Sequence, residues 1–384
     1  MFKSIDRKNT SCYKYDYIEG SYVSFFIADS DYQSPNCIKE ALIKRANHPI
    51  YGYTFIDDDY YHTVINWVKR QYGYPIEKKD LIPTSGVVNS LFYALLLLKD
   101  KSDSVVIQTP VYNQFYGLIE SAGFKKVENK LINTNGYFTM DLKGLEDIFK
   151  QGTRIMILCS PHNPVGRVYT YKELEALVKL CKKYDVFLLS DEIHCDIILN
   201  DHQFISLNHF YNLYENIFVF FSPSKSFNIA GLKTSSTVIL NETYNQAYRA
   251  LIEKHHYGLK NPFSIEGAKA AYTCDDWLKE QNKHLTRNYE IMVDHFKKHP
   301  EVILSKMEAT YLAWLDLTAL DKSCEVMYDE LLNRGMLVSG GKKYADYCAG
   351  FIRITFACDE MQLRKGLELI SAYITDSLNE LKNK

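Results

Sequence analysis

The sequence predicts an α/β protein: a large domain built on a mostly parallel central sheet, plus a smaller α+β domain. Three observations lead there. Short, continuously apolar runs recur between residues 85 and 240, as strands buried on both faces require. Amphipathic helical stretches separate them. Polar residues that can carry chemistry cluster just after the C-terminal ends of those runs, where open α/β sheets bind ligands.

In chain order, Gly86 to Lys99 (GVVNSLFYALLLLK) reads as an apolar-faced helix. Ser104 to Thr109 (SVVIQT) is a β-rich run ending at Pro110, and Asn113 to Ala122 is helical. Arg154 to Ser160 (RIMILCS) is a buried strand closed by Pro161. Lys172 to Lys183 is a charged amphipathic helix. Val186 to Ser190, Ile217 to Phe221 and Ser236 to Leu240 are further strands. Beyond them the pattern changes. Thr310 to Asp316 and Phe351 to Phe356 alternate like half-exposed strands, among the amphipathic helices Glu325 to Arg334 and Glu360 to Asn379. The expected division is therefore a large domain over 45–274 and a small domain over 275–384. The segment 1–44 holds no complete unit and is expected to pack on the small domain.

Composition bounds the function. Of 384 residues, 46% are hydrophobic and 24% charged, which excludes a disordered or low-complexity chain. A formal net charge of −2 argues against a generally basic nucleic-acid binder. No apolar run approaches the ~20 residues of a membrane span, and the N-terminus has no signal-like apolar core, so a cytoplasmic protein without membrane contact is expected. Nine Cys, an odd count with no C-x-x-C pair, suggest reduced thiols rather than a disulfide or zinc framework. There is no H-E-x-x-H and no third ligand near His255-His256, so no metal is expected. G-x-G-x-x-G, the Walker loop and the G-x-S-x-G elbow are also missing.

Three clusters remain: Ser160-Pro-His-Asn163, Asp191-Glu-Ile-His194 and Ser222-Pro-Ser-Lys225. Taken alone, a Lys at a strand end is usually a surface residue with a buried stem. Asp191 alone reads equally as a cap, and Asn163 alone as a turn residue. Together, on three successive strand ends, they supply what pyridoxal phosphate asks for. A lysine among Phe221, Phe227 and Ile229 has its charged form disfavoured, as a covalent-catalysis lysine needs. An Asp pairs with the ring nitrogen, and an Asn donates to the phenolic oxygen.

The motifs S-P-H-N-P-V-G-R (160–167), S-D-E-I-H (190–194) and S-P-S-K-S-F-N-I-A-G-L-K (222–233) resemble fold-type I pyridoxal-phosphate enzymes of the aminotransferase class I/II superfamily, with the aspartate aminotransferase fold. Within it the chain is similar to the MalY/PatB branch of cystathionine β-lyases, also called cysteine-S-conjugate β-lyases or cystalysin-like enzymes. A-D-S-D-Y (28–32), Y-G-Y-T (51–54), T-P-V-Y (109–112), E-A-T-Y-L-A-W-L-D (308–316) and G-F-I-R-I-T (350–355) extend the resemblance along essentially the whole chain.

The resemblance implies a role for each matching residue. Lys225 would carry the cofactor and move the Cα proton. Asp191 would hold the pyridinium, and Tyr112 would stack on the ring. Asn163 would bond the phenolic oxygen, with His194 close by. Gly86 and Val87, opening a helix, would receive the phosphate with help from Ser222, Ser224 and Lys233. Tyr53 would reach the phosphate of the other subunit, which implies a homodimer with a shared site. Arg353 would clamp the substrate carboxylate, with Tyr311, Asp29 and Ser30 near the substrate. Three departures stand out: Ser30 replaces a usual Met, the stretch Arg353-Ile-Thr355-Phe-Ala-Cys358-Asp359 lacks a usual Asn and a usual Pro, and Tyr15 stands where Trp is common. The first two bear on substrate preference.

The implied reaction is α,β-elimination from S-substituted L-cysteines, giving a thiol, pyruvate and ammonia. The same residues also serve an aminotransferase, so the lyase expectation rests on the branch resemblance. A regulatory protein-binding role on the same scaffold is the alternative of another class.

Overall fold

The apolar runs become the core of a seven-stranded sheet. The computed structural model describes residues 2–383. The strands are β1 (Leu81–Thr84), β2 (Ser104–Thr109), β3 (Lys125–Lys130), β4 (Ile155–Cys159), β5 (Phe187–Asp191), β6 (Ile217–Phe221) and β7 (Ser235–Ile239). Their order is β1-β7-β6-β5-β4-β2-β3. Only β7 runs antiparallel to its neighbours β1 and β6. Alternate residues of each central strand enter two different cores. Met156, Leu188 and Val219 face one core, while Ile157, Leu189 and Phe218 face the other. Both faces are therefore covered, which is why these strands lack polar alternation.

The two strands with no sequence signal lie at the sheet edges. β3 reads KKVENK and pairs only with β2, so it needs little apolar character. β1 is four residues long and contains Pro83.

The C-terminal part forms a second sheet, Ile303–Leu304, Leu312–Asp316, Phe351–Thr355 and Ser339–Gly340 in spatial order. Its core gathers Leu312, Ile352, Ile354, Leu363 and Leu367. Phe25 and Tyr32 join that core, and Val23–Ser24 pairs in parallel with Met336–Leu337. The helix Asn36–Ala46 packs instead on the helix Pro262–Ala271, with Leu42 against the large-sheet core. The N-terminal stretch thus touches both cores. The helix Asp275–Phe296 bridges them as well, with Leu278 in one core and Leu285 and Met292 in the other.

One expectation is corrected here. Cys37 and Cys274 form a disulfide, although they stand 237 residues apart in sequence. Only the packing of helix 36–46 beside the start of helix 275–296 brings them together. The other seven cysteines are free and buried.

Candidate active site

Strand register sets the site. Asp191 ends β5, beside Cys159 of β4 and Phe220 of β6. The turns that follow β4 and β6 therefore place Asn163 and Lys225 on either side of it. These three residues, with Tyr112, Val87, His194 and Arg353, line one cavity of about 270 Å³. A larger cavity of about 800 Å³, between residues 195–204 and 275–290, shares none of these lining residues. The smaller one holds the converging chemistry.

Lys225 sits in a single turn, Pro223–Ser226, capped by Ser222. Its Nζ donates to the Ala28 carbonyl at 2.7 Å. Burial is the largest cause lowering its pKa; Arg353 and Lys233 act in the same direction, against Asp29 and Asp191. Asp191 is 2% exposed, and one carboxylate oxygen accepts the Ile193 N–H at 3.1 Å. Burial pushes its pKa up to about 7, opposed by that hydrogen bond and by Lys225. A buried carboxyl with so few donors invites a cation. His194 lies edge-on to Tyr311, its ring centroid 6.0 Å away. Burial, then Lys225 and Arg353, hold the imidazole down to about 3, so it is neutral at physiological pH.

Arg353 stands mid-strand in Phe351–Thr355. It donates from Nη2 to the Phe26 carbonyl at 2.8 Å and from Nη1 to Asn163 Oδ1 at 3.4 Å. Its buried Nε has no partner among the described residues, and neither has His194 Nδ1. Gly86 caps the helix Val87–Leu97 with φ 136°, and a Cβ there would meet nothing within 4 Å. The helix start thus opens onto free space, but the Gly86 N–H expected to meet the phosphate already donates to Ser235 Oγ at 2.8 Å, so the donors left for an anion begin at Val87.

Other expected residues lie farther out. Ser222 donates to the Thr234 carbonyl at 2.6 Å and accepts the Ser224 N–H at 3.0 Å, so this hydroxyl shapes the lysine turn. Ser224 is buried beside it and Lys233 is exposed; neither lines the cavity. Tyr311 is buried behind the wall and donates to the Ala28 carbonyl at 3.3 Å. Asp29 turns to Arg7 at 2.6 Å. Ser30 is fully buried, and its backbone bonds Asn228 and Arg7. The cavity is lined at this point by Ile27 and Ala28 instead. Tyr53 is fully exposed and borders a separate hollow with Ser85, Lys260 and Phe263.

The structure adds lining residues that no motif announces, including Tyr13, Phe26, Gln114 and Lys343. Ile193 and Asn113 also line it and sit inside or beside the quoted motifs, where they were legible.

Comparison with known proteins agrees with this geometry. Residues 23–370 match the family model for aminotransferase class I and II. The chain belongs to that family, on the aspartate aminotransferase fold. It is 32% identical to cystathionine beta-lyase PatB of Bacillus subtilis, over 91% of this chain and 92% of that protein. The PLP-bound C-S lyase of Staphylococcus hominis superposes with a TM-score of 0.90 at 32% identity, covering 97% of each chain. Cystalysin of Treponema denticola, which contains pyridoxal 5'-phosphate, gives 0.92 at 29% identity, over 99% of this chain and 98% of that one.

Proposed function

We propose that this chain is a pyridoxal-phosphate-dependent carbon–sulfur β-lyase acting on S-substituted L-cysteines. The observation that carries the reading is the convergence of Lys225, Asp191, Asn163 and Arg353 on one cavity beside the Gly86 cradle. These residues fit the cofactor. Lys225 would hold it covalently, Asp191 would face its ring nitrogen, Asn163 its phenolic oxygen and Tyr112 its ring. The helix start at Val87 would take its phosphate, with Gly86 leaving it room. When bound, it supplies the electron sink that makes the Cα proton removable.

The chain's own residues do the rest. Arg353 holds the substrate carboxylate through a guanidinium whose Nε is otherwise unpartnered. Lys225, neutral more readily than an ordinary lysine because it is buried, takes the Cα proton at Nζ. Asp191 would be ionised opposite the cofactor's ring nitrogen and would keep that nitrogen protonated. His194, uncharged, adds no positive charge beside Lys225. The thiolate then leaves from Cβ, and water completes the change to pyruvate, ammonia and free thiol.

Lyase chemistry is favoured over transamination by full-length likeness to proteins named as C–S lyases. The cavity also holds one arginine among its described lining residues, and Arg353 is needed for the α-carboxylate. A homodimer belongs to the same reading. Ile50, Tyr51, Tyr53 and Phe55 form an exposed apolar arm that calls for a cover. In this reading Tyr53 serves the phosphate of a second copy. The division into a large domain over 45–274 and a small domain over 275–384 belongs to it too.

The test is thiol release from S-benzyl-L-cysteine and L-cystathionine by the cofactor-loaded protein. Release that is lost in Lys225→Ala supports the reading. No release from either thioether by the loaded wild type sinks it.

A further inference from the structure

The outer part of the cavity holds groups that this reaction does not use. Tyr13, Phe26, Gln114 and Lys343 line it together with Lys225 and Arg353. Lys343 closes the turn Gly341–Lys343, directly after the strand of Ser339, and Ser339 is the register partner of Arg353. Lys343 is thus fixed by the strand pair that holds the substrate clamp.

Its ammonium is exposed and makes no ion pair among the described residues. The adjacent Lys342 does pair, at 3.5 Å from Glu325. The charged lining groups are Lys225, Lys343 and Arg353 against Asp191. The reaction engages Lys225, Asp191 and Arg353. Lys343 is the cation left over.

The aromatic groups are ordered too. Tyr13 stacks on Tyr17 with centroids 4.3 Å apart and lies 6.0 Å from Phe26. The Phe26 carbonyl accepts from Arg353 at 2.8 Å. The aromatic strip therefore begins where the α-carboxylate is held and runs outward to Tyr13, which is 53% exposed. An exposed aromatic pair at a cavity mouth is poised to cover an apolar group.

We infer that Tyr13, Phe26 and Lys343 form a subsite for the leaving thiol, selecting L-cysteine thioethers whose sulfur substituent has an aromatic or apolar stem ending in an anionic group. This deepens the β-lyase reading and rests on it. The stem lies along Phe26 and Tyr13, and the terminal carboxylate meets Lys343.

The probes are S-benzyl-L-cysteine and S-(4-carboxybenzyl)-L-cysteine, given to the cofactor-loaded protein. The carboxylated thioether should have a kcat/KM about fivefold higher, the scale of one exposed ion pair, with the difference in KM. High salt should shrink that ratio. In Lys343→Met the ratio should fall to about one, and Tyr13→Ala should raise KM for both probes. Calorimetry with the product thiols, 4-(mercaptomethyl)benzoate and phenylmethanethiol, should show the same preference without turnover. A wild-type ratio near one, or a ratio unchanged in Lys343→Met, overturns the subsite. If neither thioether is cleaved, the β-lyase reading falls and the calorimetry decides the subsite alone: equal affinities in wild type and Lys343→Met refute it.

Discussion

The carboxylate of Asp196 accepts a hydrogen bond from Ser226 Oγ at 2.6 Å, and Ser226 directly follows Lys225. The other carboxylate oxygen accepts from the Tyr72 hydroxyl, and Trp67 Nε1 donates to that hydroxyl at 3.3 Å. Gln281 Nε2 holds the Ser226 carbonyl at 2.9 Å. Asp196 also lies two residues after His194. One buried carboxylate therefore ties the turn of the lysine to the loop of the histidine. Asp196 is therefore expected to act as a positioning residue. Asp196→Ala strands two buried donors at about 1–3 kcal/mol each. Its kcat should fall at least tenfold with KM little changed, and Asp196→Asn should recover part of the loss. A fall in melting temperature with kcat preserved would make the network merely structural.

Asp191 carries a pH signature that needs no turnover. In the chain alone its carboxyl is raised from 3.8 to about 7. A raised carboxyl pKa contributes stability that is fully present below 3.8 and lost as pH rises through about 7. A ring cation against Asp191 removes that penalty. Cofactor uptake below about 7 should therefore release a proton from Asp191, and affinity should climb with pH before levelling. Asp191→Asn should abolish this slope. Pyridoxal phosphate titrations in weakly buffered solution check it, and an identical slope in the variant would contradict it.

Gly86→Ala separates the cradle from the fold. At φ 136° an L side chain costs about 1–3 kcal/mol, so the melting temperature should drop by a few degrees. The new methyl also enters the free space at the helix start. Cofactor affinity should fall more than tenfold. A destabilised variant that binds pyridoxal phosphate normally would remove the phosphate from this helix.

Arg353→Lys keeps the charge and loses the planar fork. A charge-assisted hydrogen bond contributes about 1.5–3 kcal/mol, so KM for S-benzyl-L-cysteine should rise roughly 10- to 100-fold. The visible absorbance of the bound cofactor should be unchanged. Steady-state kinetics with a spectrum of each preparation test both statements together.

The parts of the fold legible in the sequence are those where burial dictates composition. β2 and β6 fall at Ser104–Thr109 and Ile217–Phe221, where the sequence expects them, because a central strand must be apolar on both faces. β3 escaped because an edge strand can be as polar as KKVENK. The site divides in the same way. Lys225, Asp191 and Asn163 were readable because parallel strands put their C-terminal ends on one rim. Tyr13 and Lys343 reach the cavity only through the packing of the N-terminal segment and the second sheet, and no local pattern records that. Ser30 sits in a family-like motif, yet its backbone bonds to Asn228 and Arg7 hold it inside the wall.

One-way elimination is tested most directly by counting products per active site. Loaded protein should be given S-benzyl-L-cysteine with no 2-oxo acid, while pyruvate, free thiol and ammonia are assayed together. Equal amounts of all three, far beyond one equivalent per site, are expected. Pyruvate and thiol absent, with the cofactor absorbance bleached once and restored only by a 2-oxo acid, would contradict elimination and make the protein an aminotransferase.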